Sequence, residues 1–458
     1  MSSSVSSQRL AAFKREGRLT AALAFPLVAG QLSQMLIALA DTIMVGRLGV
    51  VPLAAATFAN NVLYLPFIVG LGFTAAISIR VSQARGAQDQ PAAREALRHG
   101  FYLALVLGGL TMLAVWGIQP FLGLFRQEPE IIRAVPRYFL LVAASMIPAL
   151  AAMAVKNHAD ALNRPWVPLW ILLAGAALNA FFNWVFIYGK LGAPRLGLDG
   201  SGVATLLARI AILVAMLIWA KQSQEVRDWV PTHWFRKPDW RAVRELVRLG
   251  LPTSLQLLAE VSAFVMATLL IGTLGAAALA SHQVAMTCAA FIFMVPLGFS
   301  MALTVRMGEA LGARQAERLR LILGSGWALV LLFTACSAQL FLFFHHAIAS
   351  WFVTDPAAIA LAGSLLLVSA AFQVSDALQV SSAGALRGLG DVNVPVAVAI
   401  VAYWLVAIPG GWFLAFPCGL GVIGVWWGIT LGLTITALTL GVRAWRMTAA
   451  NAVPTAIR

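Results

Sequence analysis

A chain of 458 residues that is 60% hydrophobic and only 11% charged lies outside the range of soluble globular domains and belongs in a bilayer. Its net charge of +14 does not make it a nucleic-acid binder, because the basic residues gather on alternate loops, as membrane topology requires.

In chain order, the N-terminal stretch MSSSVSSQRLAAFKREGR is polar and basic, and the apolar run after it is too long for a signal h-region, so it reads as the first span. Twelve runs are long enough to cross, at roughly 20–44, 51–79, 99–119, 137–155, 166–188, 201–220, 249–272, 278–305, 321–344, 361–385, 395–416 and 421–442. With the N-terminus inside, 25 of the 32 Lys and Arg fall on the inner side and 6 on the outer. Both termini are therefore expected in the cytoplasm. The predicted fold class is all-α, a polytopic membrane protein with twelve transmembrane helices in two pseudo-symmetric six-helix bundles. Residues 1–220 form the N-terminal lobe, 221–248 a cytoplasmic linker and 249–458 the C-terminal lobe. Within the linker region, Trp240 to Leu249 has the pattern of an interfacial amphipathic helix.

The halves repeat. A shift of 226 residues aligns Pro26 with Pro252, Gly46-x-Leu48-Gly49 with Gly272-x-Leu274-Gly275, Leu71-Gly72-Phe73 with Leu297-Gly298-Phe299, and Arg80 with Arg306. An even number of spans per half relates the lobes by an axis along the membrane normal, with a cavity between them that suits alternating access. Pro26, Pro66, Pro252, Pro296 and Pro409 lie within spans, where they bend helices and free carbonyls.

Cys288, Cys336 and Cys418 stand in or beside apolar spans without a C-x-x-C pair and read as small buried hydrophobes. No Walker A motif is present, so ATP is not expected to power the protein. Of the 18 acids, Asp41, Glu260 and Asp376 fall well inside spans. A carboxylate there costs roughly 3 kcal/mol even on the gentlest insertion scale, which points to a water-filled cavity and to transport. Neither Asp41 nor Glu260 is matched by an acid in the other half, since Gln34 aligns with Glu260 and Ala267 with Asp41. Desolvation favours the protonated acid, so such groups can carry a proton and release it to water. The same oxygens can instead coordinate a hard cation, with Glu260 and Asp376 as metal ligands if the ion is Na+. Asn179 and Asn183 share one helix face and extend a polar cluster around Asp41. Gln34, Gln256, Gln283 and Phe372 are the remaining candidates to line a cavity, and Arg209 is the single basic residue deep in a span.

The stretches ADTIMVGRLGVVPLAA, GLGFTAAISIRVSQARGA, LQLLAEVSAF and QVSDALQVSSAGALRGLGD together resemble the multidrug and toxic compound extrusion (MATE) family, in its NorM-like bacterial branch. That resemblance implies an exporter, not an enzyme. Small cationic drugs or dyes would leave across the bacterial inner membrane in exchange for Na+ or H+, with no other cofactor, by a monomer that uses no ATP. It assigns Asp41 to coupling in the N-terminal lobe and Glu260 with Asp376 to a cation-binding pair in the C-terminal lobe. Some relatives carry an acid where Asn183 stands, which shifts weight toward the C-terminal pair. A flippase of lipid-linked precursors shares the two-lobe plan, but its pyrophosphate cargo calls for a cavity rich in Arg and Lys. A membrane prenyl-group transferase would need a DDxxD cluster, and none occurs.

Overall fold

The computed structural model describes residues 2–234 and 236–449. Among the described residues, twelve helices are long and apolar enough to cross a membrane, and there is no strand. They are α1 (Ser2–Gly46), α2 (Val50–Gly86), α3 (Gln90–Ile118), α4 (Pro129–Ala161), α5 (Trp166–Tyr188), α6 (Leu198–Gln222), α7 (Trp240–Gly272), α8 (Ala276–Gly312), α9 (Ala316–Ser350), α10 (Pro356–Gly388), α11 (Asn393–Ala415) and α12 (Gly421–Met447).

The internal repeat is written into the helix bounds. Helices α2 and α8 begin at Val50 and Ala276 and end at Gly86 and Gly312, each pair 226 apart, as the sequence alignment requires. Helix α1 ends at Gly46 and α7 at Gly272. The turns that follow place Gly49 at φ 119° and Gly275 at φ 108°. A side chain is strained at such angles, so glycine is kept at both positions.

The described chain forms two compact units. A terminal unit joins the residues up to Val28 with those from Leu255 onward, and a central unit comprises Ala29–Ser254. The division therefore falls inside α1 and inside α7. Its physical cause is a pair of close crossings 226 residues apart. In the terminal unit, Gly298 of α8 lies so near the Val28 backbone of α1 that a Cβ would collide with it. In the central unit, Gly72 of α2 meets Ser254 of α7 in the same way, and Ser254 Oγ donates to the Val69 carbonyl at 2.8 Å.

Each unit is organised around one helix. In the central unit α4 packs against α2, α3 and α6; in the terminal unit α10 packs against α8, α9 and α12. A central helix buries every face, which is why α10 holds Gln373, Asp376, Gln379 and Arg387 at 9% exposure or less.

The stretch 221–239 is strapped to α3 within the central unit. Arg94 donates to the Asp228 carbonyl through Nε at 2.8 Å and through Nη2 at 2.5 Å. The Tyr102 hydroxyl donates to the Trp234 carbonyl and accepts from Arg236 N at 3.1 Å. His99 Nε2 accepts from Asp239 N at 2.9 Å, so its ring proton sits on Nδ1, 2.9 Å from the Glu95 carbonyl. Residues 240–249, expected as a separate interfacial helix, are the first turns of a continuous α7, which carries Pro252 without a break.

Candidate functional site

In the central unit, Asp41 projects from α1 and is half-buried. Asn183 of α5 donates to Asp41 Oδ1 at 2.6 Å and also reaches Asn179 Oδ1 at 3.2 Å. Asn179 in turn donates to Thr205 of α6 at 3.5 Å. The spacing of four residues between the two asparagines puts both on one helix face, and the sequence grouping of Asp41, Asn179 and Asn183 is thus one connected polar cluster. Arg209, on α6, donates through Nη1 to Ser145 Oγ at 2.8 Å and interacts electrostatically with Asp41 and with Tyr138 of α4. A cavity of about 240 Å³ opens beside this cluster, lined by Ser33, Leu36, Ile37 and Ala40 of α1 and by Leu173, Ala176, Asn179 and Ala180 of α5.

In the terminal unit, Glu260 of α7 and Asp376 of α10 face one another closely enough to interact electrostatically. Asp376 is 6% exposed, and its Oδ1 has no hydrogen-bond partner among the described residues. The Tyr403 hydroxyl is fully buried and turns toward Glu260. Tyr403 stands in a π-helical segment of α11, Val401–Ala407. Such segments re-aim a side chain by adding a residue to a turn, and they recur at functional sites. Beyond the acids lies an aromatic wall. Phe264, one turn from Glu260, and Phe372, one turn from Asp376, meet edge to face at 6.1 Å, and Phe372 lies 5.5 Å from Trp426.

Chemically, the terminal unit offers two carboxylates and a phenol, with Asp376 Oδ1 lacking a hydrogen-bond partner among the described residues. No cluster of three His, Cys, Asp or Glu side chains occurs among the described residues. Of the other candidate residues, Gln256 is buried, Gln34 is half-buried and Gln283 is exposed. Phe372 is packed in the apolar core at 4% exposure instead of lining open space. Sequence reasoning missed Tyr138 and Tyr403. The chain has only five tyrosines, and a phenol inside a span, with a hydroxyl to satisfy, is the signal that could have found them.

A twelve-helix, two-unit fold with acids held inside its apolar helices defines a multi-pass membrane transporter. The MatE family model matches residues 26–185 and 252–413, and the chain belongs to that family. It is 37% identical over 438 residues to the "Probable multidrug resistance protein NorM" of Rhizobium meliloti (strain 1021), covering 93% of this chain and 92% of that protein. It is 34% identical over 429 residues to the "Multidrug resistance protein PmpM" of Pseudomonas aeruginosa, covering 93% and 90%. Among solved structures, one described as MATE in the bent conformation superposes with a TM-score of 0.87 at 21% identity, covering 97% of this chain and 98% of that one. The eukaryotic MATE transporter AtDTX14 gives 0.85 at 19%, covering 96% and 99%. At such identities these structures establish the fold.

Proposed function

We propose that the chain is a cation-coupled antiporter that exports amphipathic organic cations across the bacterial inner membrane, with both termini in the cytoplasm. The observation that carries this reading is the buried pair Glu260 and Asp376, which keeps a partnerless carboxylate oxygen and no contact ion pair among the described residues. Negative charge held this way must be neutralised by something that comes and goes. A proton or Na+ arriving at the acids and an organic cation bound in the protein compete for the same charge, and that competition couples inward flow to outward export. Asp41, half-buried beside a cavity, serves as a second negative site in the central unit. The excess of Lys and Arg on one set of loops supports the orientation.

The test is dye efflux from proteoliposomes under an imposed sodium gradient and, separately, an imposed pH gradient. One of the two gradients is expected to drive ethidium movement, and failure of both would overturn the coupling. In the same assay Asp41→Asn is expected to slow efflux more than Arg209→Lys, which keeps the positive charge. Equal effects would remove Asp41 from the substrate or coupling path.

A further inference from the structure

Arg387 lies beyond the tenth apolar run, which ends near residue 385, yet it belongs to the last turn of α10 and is 9% exposed. Gly384 and Gly388 bring this end of α10 against the backbone of Ser300 and Thr304 of α8, too close for any side chain. Thr304 Oγ1 donates to the Gly384 carbonyl at 2.8 Å, closing the seam. Ser300 Oγ donates to the Val380 carbonyl at 2.6 Å and accepts from Arg387 Nη2 at 2.9 Å. The guanidinium is therefore held along the α8–α10 seam beside the hydroxyl that meets the Val380 carbonyl, one turn of α10 from Asp376.

A buried guanidinium needs an opposite charge. No carboxylate forms a contact ion pair with Arg387 among the described residues, and the acid that interacts with it electrostatically is Glu260. Glu260 in turn faces Asp376 and the neutral Tyr403. The charged groups linked here are thus Glu260 from α7, which interacts with both Arg387 and Asp376 of α10, and those two partners. Two carboxylates and one guanidinium leave a single net negative charge. In the central unit a single acid, Asp41, interacts electrostatically with a single arginine, Arg209.

We propose that Arg387 is the resident counter-cation of the Glu260–Asp376 pair, leaving the emptied pair one charge short of neutrality and so fitting it to one monovalent cation. Ser300 is the positioning residue that holds the guanidinium in reach. When the coupling cation occupies the pair, the net charge is zero; when it leaves, Arg387 limits the uncompensated charge to one. This rests on the coupling role of the two acids proposed above. It adds that the pair takes up one positive charge per turnover, and that removal of the arginine makes the pair hold its cation too tightly.

The experiment measures ion binding to the purified full-length protein, with 22-sodium in one arm and proton release to an indicator dye in the other, using whichever ion binds saturably. Arg387→Gln is expected to lower the half-saturating ion concentration by about tenfold, the scale of one unit charge acting at several ångströms in a partly polar interior. Turnover in proteoliposomes should fall in parallel because release is slowed. Arg387→Lys should stay near wild type, and Ser300→Ala should shift affinity in the same direction as Arg387→Gln by a few-fold. Unchanged ion affinity in Ser300→Ala and in a folded Arg387→Gln protein overturns the proposal. If Arg387→Gln fails to fold, Ser300→Ala decides alone. Glu260→Gln and Asp376→Asn are the reference. If they bind the ion as wild type does, the coupling role itself is wrong; if they lose binding while the Ser300 and Arg387 variants are unaltered, only the counter-cation role falls.

Discussion

Glu260→Gln and Asp376→Asn are each expected to reduce drug resistance in a pump-deficient host to the level of the host alone, with the protein present in the membrane at wild-type amount. The amides keep the size and much of the hydrogen bonding of the acids, so the ring contacts of Phe264 with Phe372 and Tyr403 survive. What disappears is the charge. Without it the pair no longer attracts the coupling cation, and the exchange loses its driving step. Minimum inhibitory concentrations of ethidium and of a fluoroquinolone, read beside an immunoblot of membranes, check the result. Full resistance in either variant would remove that acid from coupling.

The second large effect is structural. Glu16 of α1 is 1% exposed and receives Arg318 Nε at 2.9 Å together with a hydrogen bond from Arg306, itself 5% exposed. Glu16→Gln removes the buried carboxylate that Arg306 and Arg318 share, which costs on the order of 3 kcal/mol. Purified Glu16→Gln protein in detergent should unfold several degrees below wild type, with the double variant Glu16→Gln, Arg306→Met recovering part of the loss. An unchanged midpoint would show that the pair is hydrated and weak. The repeat supplies a milder counterpart in the central unit. Arg80, which aligns with Arg306, pairs with Glu245 of α7 at 3.0 Å, but there both side chains are over a third exposed, and its loss should cost far less.

How much of this was legible in the sequence depends on which physical signal each element carries. Spans announce themselves by length and hydropathy, and the repeat by paired glycines. Gly49 and Gly275 are fixed by backbone angle and Gly72 and Gly298 by close approach, so the alignment found them. The start of α7 was less visible, because Arg241, Arg244, Glu245 and Arg248 interrupt the apolar run and make 240–249 look like a separate surface helix. Charge likewise hid Arg387. Hydropathy falls at a basic residue whether it faces water or a buried acid, and only the α8–α10 seam reveals which. The three span acids stood out since nothing else in a bilayer explains them. Tyr403 did not, because its aim depends on a π-helical segment that has no sequence signature. The Asp41, Asn179 and Asn183 cluster was readable from a spacing of four, whereas the approach of Arg209 to it depends on how α6 packs beside α4.

The most direct measurement is equilibrium binding of a fluorescent organic cation to the purified protein, titrated with sodium or with protons. If the acids are neutralised alternately by coupling ion and drug, one of these ions must displace the dye competitively, raising its apparent dissociation constant in proportion to ion concentration, and the Asp376→Asn protein must lose that dependence. Dye affinity that stays constant across both titrations in the wild type would contradict it.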